Sequence, residues 1–342
     1  MKRLMVLLAI ASLSVDPVMA GHGFDTVPGL HVPDDVNRDY HGDVLFHGGT
    51  ALAYWGIRQS GGRTTVVSSA YLGNGGPGYT VLAVSDFDGD RSADVLWSNG
   101  SHLKLWINDG AGSYTALSVG NYGGGWQPFA AGDINGDGKS DLFFRGSTHL
   151  AYWLMDGPRV IGSRYAGDGG NGYRVVAIND FTSIQKSDDL ISVDVLWTNG
   201  SQLKLWVGDA KASTFTPVPL GSYSNGWEPF AAGDINGDGL ADILFRGGTH
   251  LAFWESVSPL RYESRYAGNG GAGFRAISVS RYSNGYEGAD VLWSNGSQIK
   301  LWRPTCPMYD WDHGCGTPEF VPQILGTYGG GWQPLEMLIP QQ

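Results

Sequence analysis

DINGDGKSDLFFRG, residues 133 to 146, puts Asp, Asn, Asp and Asp at the first, third, fifth and ninth positions of a nine-residue loop, then turns apolar. Oxygen donors at that density suit a hard divalent cation of the calcium type. The spacing recurs as DVNRDYHGD at 35 to 43, DFDGDRSAD at 86 to 94 and DINGDGLAD at 234 to 242. A helix-flanked calcium loop would close on a bidentate Glu at position twelve; that position holds Phe46, Trp97, Phe144 or Phe245, which excludes it. The runs VLFHG, VLWSNG, LFFRG and ILFRG read instead as strands entering tight turns. The candidate ligand sets are Asp35, Asn37, Asp39 and Asp43; Asp86, Asp88, Asp90 and Asp94; Asp133, Asn135, Asp137 and Asp141; and Asp234, Asn236, Asp238 and Asp242. Up to four calcium ions are expected, one per intact loop.

Aligned on the last acidic residue, the units fall at Asp43, Asp94, Asp141, Asp194, Asp242 and Asp290, a period of 47 to 53 residues. That period belongs to four-stranded propeller blades. The expected fold is all-β, a six-bladed β-propeller of four-stranded blades, with seven blades as the alternative. The blades are expected to begin near 35, 86, 133, 180, 234 and 282, and two have lost the cage: an insertion within FTSIQKSDDLISV precedes Asp194, and YSNGYEGAD precedes Asp290. A second period of two blades overlies the first. Odd units carry HGGTALAYW, RGSTHLAYW and RGGTHLAFW, whereas even ones carry VLWSNGSHLKLW, VLWTNGSQLKLW and VLWSNGSQIKLW. The ring is therefore arranged as three two-blade modules.

Asp-x-Asn-Gly-Asp-Gly-x-x-Asp followed by a strand resembles the FG-GAP or VCBS repeat, the blade of calcium-binding β-propellers such as the integrin α-subunit head. DINGDGKSDLFFRGSTHLAYWLMDG is similar to the bacterial, secreted version, in which a Trp-x-Met-x-Gly stretch ends the third strand. The resemblance spans nearly the whole chain after residue 20. It implies architecture and metal more than activity, because adhesive, glycan-binding and enzyme-associated propellers share the repeat.

Residues 1 to 20 read as a signal peptide: Lys2 and Arg3 precede the run LMVLLAIASLSV, and Val18 and Ala20 flank Met19 as a cleavage site. Residues 21 to 342 form one propeller domain, secreted or periplasmic, with no membrane span. The formal charge of −11 sits largely in the acidic loops, and no basic stripe points to nucleic acid. Cys306 and Cys315 enclose PMYDWDHG in a chain read as exported and are expected to form a disulfide; a metal site with the adjacent Asp310, Asp312 and His313 is the alternative, although the nine-residue spacing matches no usual zinc pattern. The segment GWQPLEML at 331 to 338 repeats the start of an innermost strand without a following blade, so it is expected to close the ring beside residues 43 to 58. GLHVPD at 29 to 34 competes for the same slot.

If strands run from the axis outward, the calcium loops share one face with the turns between strands three and four. The opposite face gathers the turns between strands two and three with the Gly- and aromatic-rich interblade segments. Rings beside hydroxyl, guanidinium and imidazole groups suit sugars, whose CH faces stack while their hydroxyls hydrogen-bond. The candidate ligand-binding sets are Tyr122, Trp126, Arg145 and His149; Tyr223, Trp227, Arg246 and His250; and Tyr328, Trp332 and His47, with Ala51 where the second histidine would stand. Packing between blades is the competing role for the tryptophans. Lys104, Lys204 and Lys300 alternate with Leu and are either polar blade positions or a charged ring for an acidic glycan. No Gly-x-Ser-x-Gly or His-Glu-x-x-His run is present, and the repeated residues copy one another rather than form a catalytic set. The expected function is a calcium-stabilised carbohydrate-binding module with a glycan or cell-surface partner. The alternatives are a protein adhesion module and a glycan-active hydrolase or lyase built on Tyr309 to His313.

Overall fold

The computed structural model describes residues 34–110, 112–182, 193–209, 214–283, 288–305, 309–310, 314–315 and 318–336. Six four-stranded antiparallel sheets form the blades of a ring. Blade I contains Val44–Gly48, Ala51–Ser60 and Arg63–Asn74, and its innermost strand is Gln333–Pro334 from the other end of the chain. Blades II to V run outward in chain order from Thr80–Ser85, Gln127–Gly132, Arg174–Asn179 and Glu228–Gly233. Blade VI starts with Arg275–Ser280 and ends with Glu319–Thr327. In blades II to VI the innermost strand precedes the acidic loop or its counterpart, so these blades begin a strand earlier than the loops.

Burial falls from the axis outward. Second strands such as Asp94–Ser98 are buried at every position, as a strand covered on both faces should be, whereas outermost strands such as Arg159–Asp168 are largely exposed. The core is not one body but six apolar clusters, each straddling a seam between neighbouring blades. At the II/III seam, for example, Leu96, Leu103 and Leu105 meet Leu142, Phe144 and Met155.

Hydrogen bonds stitch both faces of the ring. On one face the carbonyl of a loop's first residue accepts the amide just before the next blade's last aspartate: Ala93 to Asp35 (2.7 Å), Ser140 to Asp86 (2.8 Å), Ala241 to Asp180 (3.0 Å) and Ala289 to Asp234 (2.6 Å). On the other, interblade segments bond back to the preceding turn, as in Tyr122 N–H to Ser101 O at 2.9 Å and Gly169 N–H to Thr148 O at 2.7 Å. The Cys306 position lies outside the described residues, as do residues 1–33 and Trp311 to His313; Tyr309–Asp310 and Gly314–Cys315 pair as a short hairpin.

Candidate functional site

The acidic loops are built by their own carboxylates. Asp133 Oδ1 accepts the amides of Gly136 (2.7 Å) and Asp137 (3.2 Å), and its Oδ2 accepts Gly138 (2.8 Å), which coils the loop around one side chain. The fourth and sixth positions take positive φ, +74° at Gly136 and +82° at Gly138. Arg38 (+59°), Tyr40 (+65°) and Arg91 (+70°) adopt the same conformation without glycine's freedom.

The last aspartate does a different job. Asp141 accepts Ile134 N–H at 3.0 Å and Met155 N–H at 2.8 Å, tying loop, second strand and third strand together. Asp43, Asp94 and Asp242 repeat that pairing, and so does Asp194, which holds Phe181 (3.0 Å) and Gly208 (2.8 Å) in a blade without a cage. Asp290 takes Ser283 N–H at 2.6 Å in the other cage-less blade. The persistence of the residue where the rest of the acidic set is gone marks it as a structural staple.

In blade II, carboxylate oxygens of Asp86, Asp88 and Asp94 lie within 4.8 Å of one another, a group of hard oxygens able to hold a metal ion. Asp90, the remaining member of that set, is ion-paired with Arg38 from the neighbouring loop. Burial, reinforced by neighbouring carboxylates, pushes the last aspartates up: Asp43 to about 9, Asp94 to about 8 and Asp141 to about 7. Asp234 is pushed up to about 6 for the same reasons. Crowded carboxylates of this kind are what a bound cation relieves, so the residues present fit calcium.

The opposite face divides into two kinds of seam. Entering even blades, Trp97, Trp197 and Trp293 are buried, and Lys104, Lys204 and Lys300 donate to the carbonyls of Gly75, Gly169 and Gly270. Their ammonium groups lie 4.0, 3.8 and 3.5 Å from the ring centres of Tyr79, Tyr173 and Phe274. Each lysine thus places one donor and its charge within a seam rather than in an open charged ring.

Entering blade III, the aromatics leave a cleft, and blades V and I carry the matching residues. At the II/III seam a cavity of about 270 Å³ is lined by Tyr122, Trp126, Phe144, Trp153 and Tyr165, among others. Tyr122 bonds Ser98 through its hydroxyl at 2.6 Å and packs on Phe144; Tyr223 and Tyr328 repeat this on Thr198 (2.7 Å) and Ser294 (2.5 Å). Trp126, Trp227 and Trp332 are half-buried and lie over Gly146, Gly247 and Gly48, where an added Cβ would come within 3.1, 3.2 and 3.4 Å of a ring or backbone atom, in Gly247's case 3.0 Å from Gly226 O.

The expected sets are partly separated. Phe144 faces the cleft, so its strand neighbour Arg145 points to the other side of blade III and lies over Phe129, 6.0 Å from its ring centre. Arg246 is buried likewise over Phe230, paired with Glu228 at 3.0 Å. His47 occupies the matching strand position in blade I, paired with Gln333. His149 and His250 stay on the cleft side through bonds to Tyr165 (2.7 Å) and Tyr266 (2.6 Å). Sequence reasoning missed Tyr71, Tyr165 and Tyr266, the most exposed large rings on this face at 61, 61 and 62%; their shared place in Ala-Tyr-Leu-Gly and Arg-Tyr-Ala-Gly was the available signal.

The family model for the FG-GAP-like repeat matches residues 86–144 and 192–245, each spanning an acidic loop or its equivalent and the strand that follows. The chain is a β-propeller of FG-GAP-like repeats. Among solved structures, this propeller is similar to a lectin of Agrocybe aegerita described as recognising non-reducing terminal N-acetylglucosamine, at 12% identity and a TM-score of 0.59, covering 90% of this chain and 84% of that one. It is also similar to part of the Photorhabdus luminescens Tc holotoxin pore, at 11% identity and a TM-score of 0.50, covering 77% of this chain. The propeller spans 14% of that toxin chain's length. At these identities the likeness is one of fold. No curated protein sequence matches the propeller.

Proposed function

We propose that this propeller is an exported, calcium-stabilised carbohydrate-binding protein whose sugar sites are the aromatic clefts entering blades III and V. The observation that carries the reading is the cleft of about 270 Å³ at the II/III seam, walled by Trp126 and Tyr165. It lies near the lower end of the range for small-ligand pockets, of order 300 Å³ and up, which suits one sugar ring. Aromatic walls offer stacking surfaces for CH faces, and neutral hydroxyls and imidazole offer directional partners for sugar hydroxyls. The fold shared with a sugar-binding lectin is compatible with this use. Calcium's part is structural: the acidic loops stand on the other face and brace the ring that positions the clefts.

The test is a glycan array probed with the full chain in calcium. Binding should be lost or reduced at least tenfold when Trp126 and Trp227 are both changed to Ala, with the melting temperature lowered only modestly. Glycan binding unchanged in that double variant would remove the clefts from the reading. Absence of binding to any glycan would remove carbohydrate altogether and favour a protein partner.

A further inference from the structure

The two walls of a cleft come from distant parts of the chain: Trp126 from the segment entering blade III, and Tyr165 from that blade's outermost strand. Tyr165 is held by its hydroxyl at His149 Nδ1, 2.7 Å away, with ring centroids 5.7 Å apart. In blade V, Tyr266 is held by His250 at 2.6 Å, with centroids 6.0 Å apart. Among the described residues neither tyrosine makes a ring contact with the tryptophan of its own cleft. Blade I has Ala51 at the histidine position. There Tyr71 stands edge-on to Trp332, with centroids 6.4 Å apart and planes at 75°.

Where the histidine is present the walls stand apart; where it is missing they have met. The physical reason is direct. An exposed tyrosine ring gains from edge-to-face contact with a neighbouring indole, and a hydrogen bond to its hydroxyl competes with that contact. A sugar ring needs the gap that this contact removes.

We propose that His149 and His250 are positioning residues that hold the tyrosine wall off the tryptophan, so that the clefts of blades III and V each accept one terminal pyranose while that of blade I is closed. The ring repeats three times but binds twice. The ligand class rests on the carbohydrate reading above, whereas the positioning role does not.

Two measurements separate the two. Crystal structures without sugar should show Tyr165 edge-on to Trp126 in His149→Ala, and Tyr71 withdrawn from Trp332 onto the new imidazole in Ala51→His. Tyr165 keeping its place in His149→Ala would overturn the positioning role. Calorimetry with N-acetylglucosamine and with methyl β-galactoside should give two sites per chain in the unmodified protein, three in Ala51→His, and one in His149→Ala, with His149→Gln recovering the second site. Three equal sites in the unmodified protein would overturn the closure of blade I. Failure to bind either sugar, with the tyrosines moving as stated, overturns the two-site statement and the choice of these sugars while supporting the positioning role.

Discussion

The last aspartate of each loop separates two roles that one carboxylate can combine. Asp194 belongs to a loop without a cage, yet it accepts Phe181 N–H, Gly208 N–H and the Thr182 hydroxyl at 3.0, 2.8 and 3.0 Å. Changing it to Ala strands buried donors at about 1–3 kcal/mol each, so Asp194→Ala should lose roughly 2–4 kcal/mol of stability. Its calcium-dependent stabilisation should stay intact. Asp86→Ala, which removes one of the three clustered carboxylates of blade II, should instead reduce the rise in melting temperature on adding calcium. Urea melts of both variants, with and without calcium, would show it; an equal loss of calcium response in both would mean that the staple and the cage are not separable.

The seams act as elements, and glycine decides how closely they shut. A Cβ at Gly169 would lie 2.4 Å from the Trp197 ring, and its φ is ordinary, so space rather than conformation demands glycine there. Gly75 and Gly270 meet Trp97 and Trp293 at 2.4 and 2.3 Å. Gly169→Ala should therefore destabilise by about 1–3 kcal/mol through overpacking. Gly123, in the open seam, has nothing within 4 Å of such a Cβ and also has an ordinary φ. Gly123→Ala should leave stability within about 0.5 kcal/mol. Thermal melts giving the two variants the same stability would contradict the division into closed and open seams.

At the scale of the molecule, the ring is closed by its ends. Pro334 pairs with Phe46, Gln333 with His47, and Leu335 N–H donates to Leu45 O at 2.8 Å. The same seam carries Gly42 N–H to Arg281 O at 2.5 Å and a bond from Thr64 N–H to Gln323 at 3.1 Å. Deleting residues 331–342 should cost on the order of 3 kcal/mol or more and broaden the thermal transition; a truncated chain that melts like the full one would refute this closure. Protons and calcium should compete across the whole ring. An unfolded aspartate titrates near 3.9, whereas burial pushes Asp43, Asp94 and Asp141 up to about 9, 8 and 7. Between those limits the native state holds more protons than the unfolded chain, so without metal these groups' contribution is complete below about pH 4 and is lost as pH rises through 7 to 9. Calcium bound there would hold the same carboxylates ionised and remove the loss. The difference in melting temperature between calcium and EGTA should widen from pH 6 to pH 9, and parallel curves would refute the linkage.

What the sequence determined by itself was everything written in local spacing: the repeat period, the six blades, the two-blade alternation and the acidic loops, because a nine-residue loop and the strand after it are folded by near neighbours. Which side chains share a cleft was decided by tertiary structure. In blade III the pairing shifts between Leu150 and Ala151, so Leu150 faces Gly167 while Ala151 faces Tyr165, leaving Ala166 as the extra residue. The same shift places Tyr71 opposite Ala53 and Tyr266 opposite Ala252. Because strand side chains alternate, that one-residue slip moves the tyrosine to the cleft side, just as alternation sends Arg145 away from it. Register between strands and docking between blades are set by non-local packing, and no local spacing encodes them.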